Sequence, residues 1–205
     1  MRVAILGAGS VGTKLGALAR AAGHDVVFGV RSGSGPVDYQ AARPEQAVAN
    51  ADLVVLAVPF TACPELLPPL AKGLDGKIVV DATNPLNSDW SPLLLGETTS
   101  GAQVISALLP RALVVKAFNT VFADIMTTER LDRAGRRVTA FIASDDEAAR
   151  LAVARFAESL GFAPQFVGGL ALSRFLEGMA HLNIAIALGQ SGGTNSAFLY
   201  DQVKD

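Results

Sequence analysis

The sequence predicts an α/β protein: a doubly wound, mostly parallel sheet with helices on both faces, followed by an apolar C-terminal helix. Three observations support this fold class. Short apolar runs alternate with longer segments of helical periodicity along the whole chain. The 205 residues are enough for one such domain and a small extension. A glycine-rich hexamer lies between the first apolar run and the first helical segment.

The predicted elements follow one another as expected for parallel strands joined by helical crossovers. Apolar runs predict strands at residues 2–6, 26–30, 53–58, 77–81, 113–117, 138–143 and 164–167. Helical periodicity predicts helices at residues 10–22, 44–51, 61–72, 100–109, 145–160 and 173–188. Ser144, with Glu147 three residues later, predicts a capping box at the start of the fifth of these helices.

The glycine-rich hexamer reads Gly-Ala-Gly-Ser-Val-Gly and fits the pattern G-x-G-x-x-G between a strand and a helix. In that pattern the first glycine, Gly7, allows a tight turn, and Gly9 lets the backbone approach a pyrophosphate. The third, Gly12, lets the helix pack closely on the strand. The strand, loop and helix together therefore predict a dinucleotide-binding unit.

This unit sets the expected domain organisation. Ser10 and Val11 open the first helix, whose free N–H groups can bind phosphate oxygens. We expect residues 1–168 to form a Rossmann-like dinucleotide-binding domain and residues 169–205 to complete its pocket. The helix in this last segment is apolar around most of its circumference, which requires burial in the core alone or also against a second subunit. A homodimer is the favoured interpretation.

The end of the second predicted strand selects the nucleotide. An NAD-binding domain usually places Asp or Glu there to accept hydrogen bonds from the ribose 2′-hydroxyl. Here Arg31 and Ser32 occupy that place, and the nearest acids, Asp25 and Asp38, lie too early and too late in the chain. Arg31 can pair with a 2′-phosphate through its planar guanidinium, and Ser32 can donate a hydrogen bond. NADP(H) is therefore preferred over NAD(H), unless Arg31 is simply a solvated turn residue.

The loops after the other strands predict a second half of the site, because ligands of open parallel sheets bind beyond the carboxyl ends of the strands. Asn84 and Asn119 supply amides there, neighbouring residues supply aromatic rings, and Arg174 supplies a cation at a helix start. The loops in question are residues 57–60, 81–86, 116–120 and 168–174. They predict a neutral, amide-lined pocket with one cation.

The chemistry that such a pocket supports needs few protein groups. Direct hydride transfer between two flat redox rings requires positioning rather than a protein nucleophile, so no catalytic residue is assigned. A small dehydrogenase or imine reductase would instead need a proton donor, for which Lys116 is the best candidate unless its ammonium lies at the surface. His24 is expected at the surface, and His181 is expected to be buried and hydrogen-bonded. A third interpretation is a non-catalytic NADP(H) sensor or redox partner.

Composition excludes several classes of protein. With 18% charged residues and a formal net charge of −2, no basic surface for nucleic acid is expected. No apolar stretch is long enough to span a membrane. A single cysteine, Cys63, fits a reducing cytoplasm and is expected to be a small buried hydrophobe. Two histidines are too few for a His-rich metal site, and no metal is predicted.

Several of these segments together resemble the NADP oxidoreductases that depend on coenzyme F420. The segments are residues 7–12, 30–32, 81–86, 115–120 and 172–174, and the similarity runs through nearly the whole chain. Lys-Ala-Phe-Asn-Thr at residues 116–120 is also similar to the reductase domain of membrane ferric reductases. The resemblance implies a compact, usually dimeric protein that moves a hydride between NADP(H) and a deazaflavin. The leading hypothesis is hydride transfer between NADPH and a flavin-like or F420 acceptor.

The resemblance also implies roles for individual residues. Arg31 and Ser32 would meet the 2′-phosphate, Pro59 and Asn84 would border the nicotinamide, and Arg174 would face the second cofactor. Phe60 stands where the family's Trp is expected, which leaves the second substrate open. In the loops, the expected cofactor-binding residues are Ala57, Val58, Pro59, Asn84 and Pro85, and the expected second-substrate residues are Asn119 and Arg174.

Overall fold

A computed structural model describes residues 1–32, 35–189 and 192–202. Its strands are β1 (Arg2–Leu6), β2 (Asp25–Gly29), β3 (Gln40–Ala42), β4 (Leu53–Leu56), β5 (Ile78–Asp81), β6 (Leu113–Lys116), β7 (Asp132–Arg133), β8 (Arg136–Arg137), β9 (Thr139–Ala143) and β10 (Ala163–Gly168). Eight of them form one sheet in the order β10-β9-β6-β5-β4-β1-β2-β3. Strands β7 and β8 pair separately as an antiparallel hairpin.

Helices cover the sheet and close the chain. They are α1 (Ser10–Ala21), α2 (Pro44–Ala49), α3 (Cys63–Leu70), α4 (Gly101–Leu108), α5 (Thr128–Leu131), α6 (Glu147–Ser159) and α7 (Ser173–Gly189). Helix α1 ends before Gly23, whose φ of +81° lets the chain turn back toward β2. Helix α7 packs against α4.

The core lies on both faces of the sheet because successive side chains of a strand point to opposite sides. Along β1, Val3 and Ile5 belong to the same buried cluster as Leu15 of α1. Ala4 and Leu6, which alternate with them, belong to a second buried cluster. Every residue of β1 after the first is therefore fully buried, as a parallel sheet covered on both faces requires.

The predicted fold class is confirmed: neighbouring strands of the sheet run parallel except β6 and β9, which pair antiparallel at Lys116 and Ala143. Each predicted strand is present with its ends shifted by a few residues. The edge strand β3, the β7–β8 hairpin and the four-residue α5 were not predicted. Their runs are too short for a periodic pattern to be read from the sequence.

The predicted capping box of Ser144 and Glu147 is wrong. Helix α6 begins at Glu147 and is capped by Asp146, whose carboxylate accepts a hydrogen bond from the Ala149 N–H at 2.7 Å. Ser144 is buried at the end of β9, where its hydroxyl donates to the Val114 carbonyl at 2.8 Å. A buried hydroxyl requires such a partner, and this contact removes Ser144 from the helix start.

Candidate active site

The three glycines of the turn after β1 differ in what surrounds them. A Cβ atom at Gly7, whose φ is +108°, would overlap the Ala57 carbonyl oxygen, and one at Gly12 would overlap the Gly7 carbonyl oxygen. A Cβ atom at Gly9 would meet nothing within 4 Å. Gly7 and Gly12 are therefore required by close packing, whereas Gly9 leaves open space over the backbone. That space is what a bound pyrophosphate needs.

The N-terminus of α1 opens onto the same space. Gly9 is its N-cap residue, and no side chain caps the helix there. The first turn holds no acidic residue, so nothing competes with an anion for the free N–H groups or for the positive end of the helix dipole. Thr13 helps to hold the turn, because its hydroxyl donates to the Gly9 carbonyl at 2.9 Å.

Two cavities lie on either side of this turn. The first, which we name the β2 cavity, has a volume of about 530 Å³ and lies against the end of β2. Gly7 contributes to its lining, together with Arg31, Arg43, Glu45, Val58 and Pro59. It thus holds one arginine predicted from the sequence and one, Arg43, that was not.

The second, which we name the amide cavity, has a volume of about 240 Å³. Ser10 and Val11 of the glycine turn line it, and so do side chains from the loops after β5 and β6. Helix α7 closes one wall with Asn183 and Ile184. The remaining lining includes Asn84, Trp90, Phe118, Asn119, Asp124 and Thr194. Asp124 is its one ionisable residue among those described.

Asn84 and Asn119 form an interlocked amide pair in this cavity. The Asn84 Nδ2 donates to the Asn119 carbonyl at 2.8 Å, and the Asn119 Nδ2 donates to the Asn84 Oδ1 at 2.9 Å. The Asn119 Nδ2 also donates to the Leu176 carbonyl at 3.0 Å, which fixes the orientation of the amide because a carbonyl only accepts. The Asn119 Oδ1 is left as a buried acceptor without a partner among the described residues.

The backbone of the loop after β6 is held in an uncommon conformation. Phe118 has a φ of +65°, in the left-handed region that non-glycine residues seldom occupy. Its ring is buried and packs edge-on against Phe156, with centroids 6.2 Å apart. Strained positions of this kind cluster at functional sites, and this one immediately precedes Asn119.

Lys116 is fully buried at the end of β6 and does not line either cavity. Its ammonium donates to the Asp81 Oδ2 at 2.9 Å and to the Thr83 carbonyl at 2.7 Å, and it lies 3.0 Å from the Glu177 Oε1. The prediction that its ammonium lies at the surface is therefore wrong. Burial opposes the charge of Lys116, but the two carboxylates outweigh burial, and the net effect raises its pKa.

Glu177 was not identified from the sequence. It is the buried acid of α7, and its two oxygens accept hydrogen bonds from the Gly101 and Ala102 N–H groups at 2.9 and 3.2 Å. It therefore joins the start of α4 to Lys116. One signal in the sequence could have identified it. Glu177 is a single acid among the apolar residues of a helix, and an acid in such a place is buried only where it has partners.

The predicted site residues divide between the two cavities. Arg31, Val58 and Pro59 line the β2 cavity, whereas Asn84 and Asn119 line the amide cavity. Pro59 and Asn84, expected to border the same ring, are thus not brought into one cavity. Ser32 is exposed in the turn after β2.

Three further predicted residues lie beside the cavities rather than in them. The Ala57 carbonyl is the group that crowds Gly7. Pro85 is buried, and its carbonyl lies 3.3 Å from the Nε2 of the half-buried His181. Arg174 lines neither cavity, and its guanidinium stacks over the Phe175 ring at 4.4 Å.

The remaining candidate groups are tied into the fold. Cys63 is buried at the start of α3, where burial and the Asp81 charge raise the pKa of its thiol to about 12. His24, expected at the surface, is half-buried, and its Nε2 contacts the Ser159 hydroxyl at 2.9 Å. Among the described residues, no group of three or more His, Cys, Asp and Glu side chains could hold a metal ion. No helix within the described ranges has the length and apolarity to cross a membrane.

Known proteins are similar to this chain in sequence and in fold. Residues 2–85 match the family model of coenzyme F420-dependent NADP oxidoreductases. The crystal structure of a proposed F420-dependent NADP-reductase from Arthrobacter sp. FB24 is 27% identical, with a TM-score of 0.87 over 98% of this chain and 99% of that chain. A hypothetical protein from Sinorhizobium meliloti, SMa0349, is 30% identical, with a TM-score of 0.74 over 84% of this chain and 87% of its own.

A larger protein contains a related segment. Metalloreductase STEAP3 of Rattus norvegicus is 33% identical over 181 residues, which are 86% of this chain and 36% of the rat protein. This chain thus spans about a third of the length of that curated relative. The family match, the shared fold over full length and the glycine turn agree. The chain is therefore similar to the coenzyme F420-dependent NADP oxidoreductases, whose family model it matches over residues 2–85.

Proposed function

We propose that this protein is an NADP(H)-dependent oxidoreductase that moves a hydride between the nicotinamide and a flat acceptor of flavin or deazaflavin type, coenzyme F420 included. One observation carries the proposal: residues of the glycine turn line both the β2 cavity and the amide cavity, one on either side of it. Because Gly7 lines the first and Ser10 and Val11 line the second, a dinucleotide that crosses the turn would reach both.

The residues of the chain fit NADP(H) from end to end. The open space at Gly9 and the free N–H groups of α1 would bind the pyrophosphate. Arg31 would bind the 2′-phosphate in the β2 cavity. The unpartnered Oδ1 of Asn119 calls for a hydrogen-bond donor, which the N–H groups of a carboxamide supply. When bound, the reduced nicotinamide would supply the hydride.

The role of the protein in the transfer is to position the two rings and to exclude water. The Asn84–Asn119 pair fixes one wall of the amide cavity, and Phe118 and Ile184 supply apolar surface around it. The hydride passes directly from the nicotinamide to the acceptor ring, and the one proton that the acceptor's ring nitrogen takes up can come from water, so no protein proton donor is needed. This agrees with a lining in which Asp124 is the one ionisable residue described.

A small dehydrogenase or imine reductase with Lys116 as proton donor is the alternative enzyme. We favour direct hydride transfer because the three hydrogens of the Lys116 ammonium already have oxygen partners. An acid in contact with an acceptor would have to line the amide cavity, and Lys116 does not. A non-catalytic sensor would bind NADPH equally well, so only a measurement of turnover distinguishes it from an enzyme.

The proposal extends to the assembly. Residues 169–205 contribute Asn183, Ile184 and Thr194 to the amide cavity, in keeping with a segment that completes the pocket. Helix α7 also exposes Phe175, Leu182 and Ile186. Exposed apolar side chains on one helix favour a partner surface, and we propose a homodimer that acts on small molecules in the cytoplasm.

Turnover with a panel of acceptors tests the function. We expect NADPH oxidation, followed by nicotinamide absorbance, to be accelerated by coenzyme F420 or by a flavin. Tight NADPH binding without turnover on F420, FMN, FAD or ferric chelates would favour the sensor instead. Activity confined to ketones or imines, and abolished by Lys116→Met in a protein that still folds, would favour the alternative enzyme.

A further inference from the structure

The ends of two neighbouring strands bring two arginines to the β2 cavity. Strands β2 and β3 are parallel, with Gly29 opposite Ala42, and the Val30 N–H donates to the Ala42 carbonyl at 3.0 Å. Arg31 directly follows Val30, and Arg43 directly follows Ala42. Because neighbouring strands lie about 4.8 Å apart, the two arginines leave the sheet from adjacent backbone positions. Both line the β2 cavity.

Neither guanidinium has a partner among the described residues. Within residues 1–32, 35–189 and 192–202, no ion pair or hydrogen bond engages the guanidinium of Arg31 or Arg43, and both residues are exposed. The Arg43 backbone N–H donates to the Gln46 Oε1 at 3.3 Å and leaves the Arg43 guanidinium unused. Nearby Arg20 differs, because it donates to the Asp38 carbonyl at 3.1 Å and stacks over the Tyr39 ring. Two unpaired cations that start side by side repel each other, and a dianion between them would relieve that repulsion.

Two acids share the β2 cavity. Glu45 lies in the first turn of α2, and Glu65 lies on α3 across the cavity. In the part of the chain that the structure describes, no ion pair joins either glutamate to Arg31 or Arg43. The arginines are therefore not neutralised by these carboxylates, which lower the local positive potential without occupying the guanidinium hydrogens.

We propose that Arg43 is a second specificity-determining residue, which together with Arg31 forms a two-arginine site for a phosphomonoester dianion. The inference rests on the proposed function, because the ligand it assigns is the 2′-phosphate of NADP(H). A phosphomonoester carries a charge of about −1.5 to −2 near neutral pH, which matches two guanidinium groups better than one. Arg43 thereby makes the edge strand β3 part of nucleotide selection.

Calorimetric titration of the full chain with four probes tests this assignment. The probes are NADPH, NADH, 2′-AMP and 5′-AMP. NADPH and 2′-AMP carry the 2′-phosphate, whereas NADH and 5′-AMP are the corresponding whole and fragment ligands without it. We expect Arg43→Ala to weaken NADPH and 2′-AMP binding by about 10- to 100-fold, as expected for a lost charged hydrogen bond. Binding of NADH and 5′-AMP should change by less than about twofold.

Two further variants sharpen the result. Arg43→Lys keeps the charge but loses the planar fork, so the loss of NADPH affinity should be intermediate. Arg155→Ala removes an exposed arginine on α6 that lines neither cavity and should leave all four affinities unchanged. Circular dichroism of each variant checks that the fold is retained.

The outcomes separate this inference from the function on which it rests. If the wild-type protein binds NADPH and 2′-AMP and Arg43→Ala does not weaken them, the role of Arg43 is overturned and the proposed function stands. Equal losses for NADPH and NADH would also overturn it, because Arg43 would then act on the shape of the cavity. If the wild type binds neither NADPH nor NADH, the proposed function fails and the inference fails with it.

Discussion

At the residue scale, the glycine turn shows that some residues are required for folding and others for binding. The G-x-G-x-x-G spacing predicts a role for each of Gly7, Gly9 and Gly12, and the surroundings of each glycine agree with that role. The burial of Lys116 could not be predicted in the same way. Its carboxylate partners lie 35 and 61 residues away in the chain, and nothing in the local sequence indicates that the ends of β5 and β6 meet helix α7 there.

The difference between Gly9 and Gly12 gives a matched pair of substitutions. Gly9→Ala should keep the melting temperature of the wild type, because its Cβ meets no protein atom and its φ of −76° suits any residue. It should weaken NADPH binding by about tenfold or more, a loss of about 1.4 kcal/mol, because the methyl group enters the pyrophosphate space. Gly12→Ala should instead lower the melting temperature. Thermal unfolding and NADPH titration of both variants check this, and unchanged NADPH affinity in Gly9→Ala would contradict it.

Lys116 should contribute to stability rather than to chemistry. Lys116→Met leaves Asp81 and Glu177 as buried, unpaired acids, and we expect the free energy of unfolding to fall by about 3 to 5 kcal/mol. Urea denaturation measures this directly. A fall below about 1 kcal/mol would show that the pair contributes little, as exposed ion pairs do.

The same lysine sets an alkaline limit on stability. Its pKa in the folded protein lies above the ordinary value of 10.5, so the folded state holds the proton more tightly than the unfolded chain. The stabilisation is therefore complete below pH 10.5 and is lost as the pH rises through the higher folded pKa. Urea denaturation at a series of alkaline pH values should show this loss in the wild type and not in Lys116→Met.

Cys63 should be unreactive in the folded protein. Its buried thiol has a pKa of about 12, so the reactive thiolate is scarce near neutral pH. We expect iodoacetamide to label Cys63 only after unfolding in urea, as measured by mass spectrometry. Rapid labelling of the native protein at pH 7.5 would mean that α3 opens readily or that the thiol is less protected than its burial indicates.

At the element scale, the long periodic segments were predictable and the short ones were not. Helices α1, α6 and α7 and the buried strands carry apolar patterns that locate them to within a few residues. Strand β3 has only three residues and depends on pairing with β2, so its sequence carries no signal of its own. This matters for function because β3 brings Arg43 to the β2 cavity, and only Arg31 could be found from the sequence.

Helix α7 links the elements around the amide cavity. Glu177 binds the start of α4, the Leu176 carbonyl accepts from Asn119, and Asn183 lines the cavity. The apolar sequence of α7 predicts burial on more than one side, but its pattern does not show which side faces the pocket. Tertiary contacts with the start of α4 and with the loop after β6 decide that orientation.

At the scale of the whole molecule, the exposed face of α7 predicts assembly. Phe175, Leu182 and Ile186 are 56%, 54% and 44% exposed, and their spacing of seven and four residues places them on one side of the helix. We expect Leu182→Glu to convert a dimer into a monomer in sedimentation velocity. Arg155→Ala, on α6, serves as the control. A wild-type protein that sediments as a monomer at all concentrations would contradict the proposed homodimer.

The central claim is direct hydride transfer between NADPH and a deazaflavin-type acceptor bound in the amide cavity. The most direct test follows deuterium from NADPH labelled at the transferable C4 position to oxidised F420 under anaerobic conditions, with the product examined by mass spectrometry. Our account predicts reduced F420 that carries the deuterium at its ring carbon. Reduced F420 whose new carbon-bound hydrogen comes from solvent, or no reduction despite NADPH binding, would contradict it.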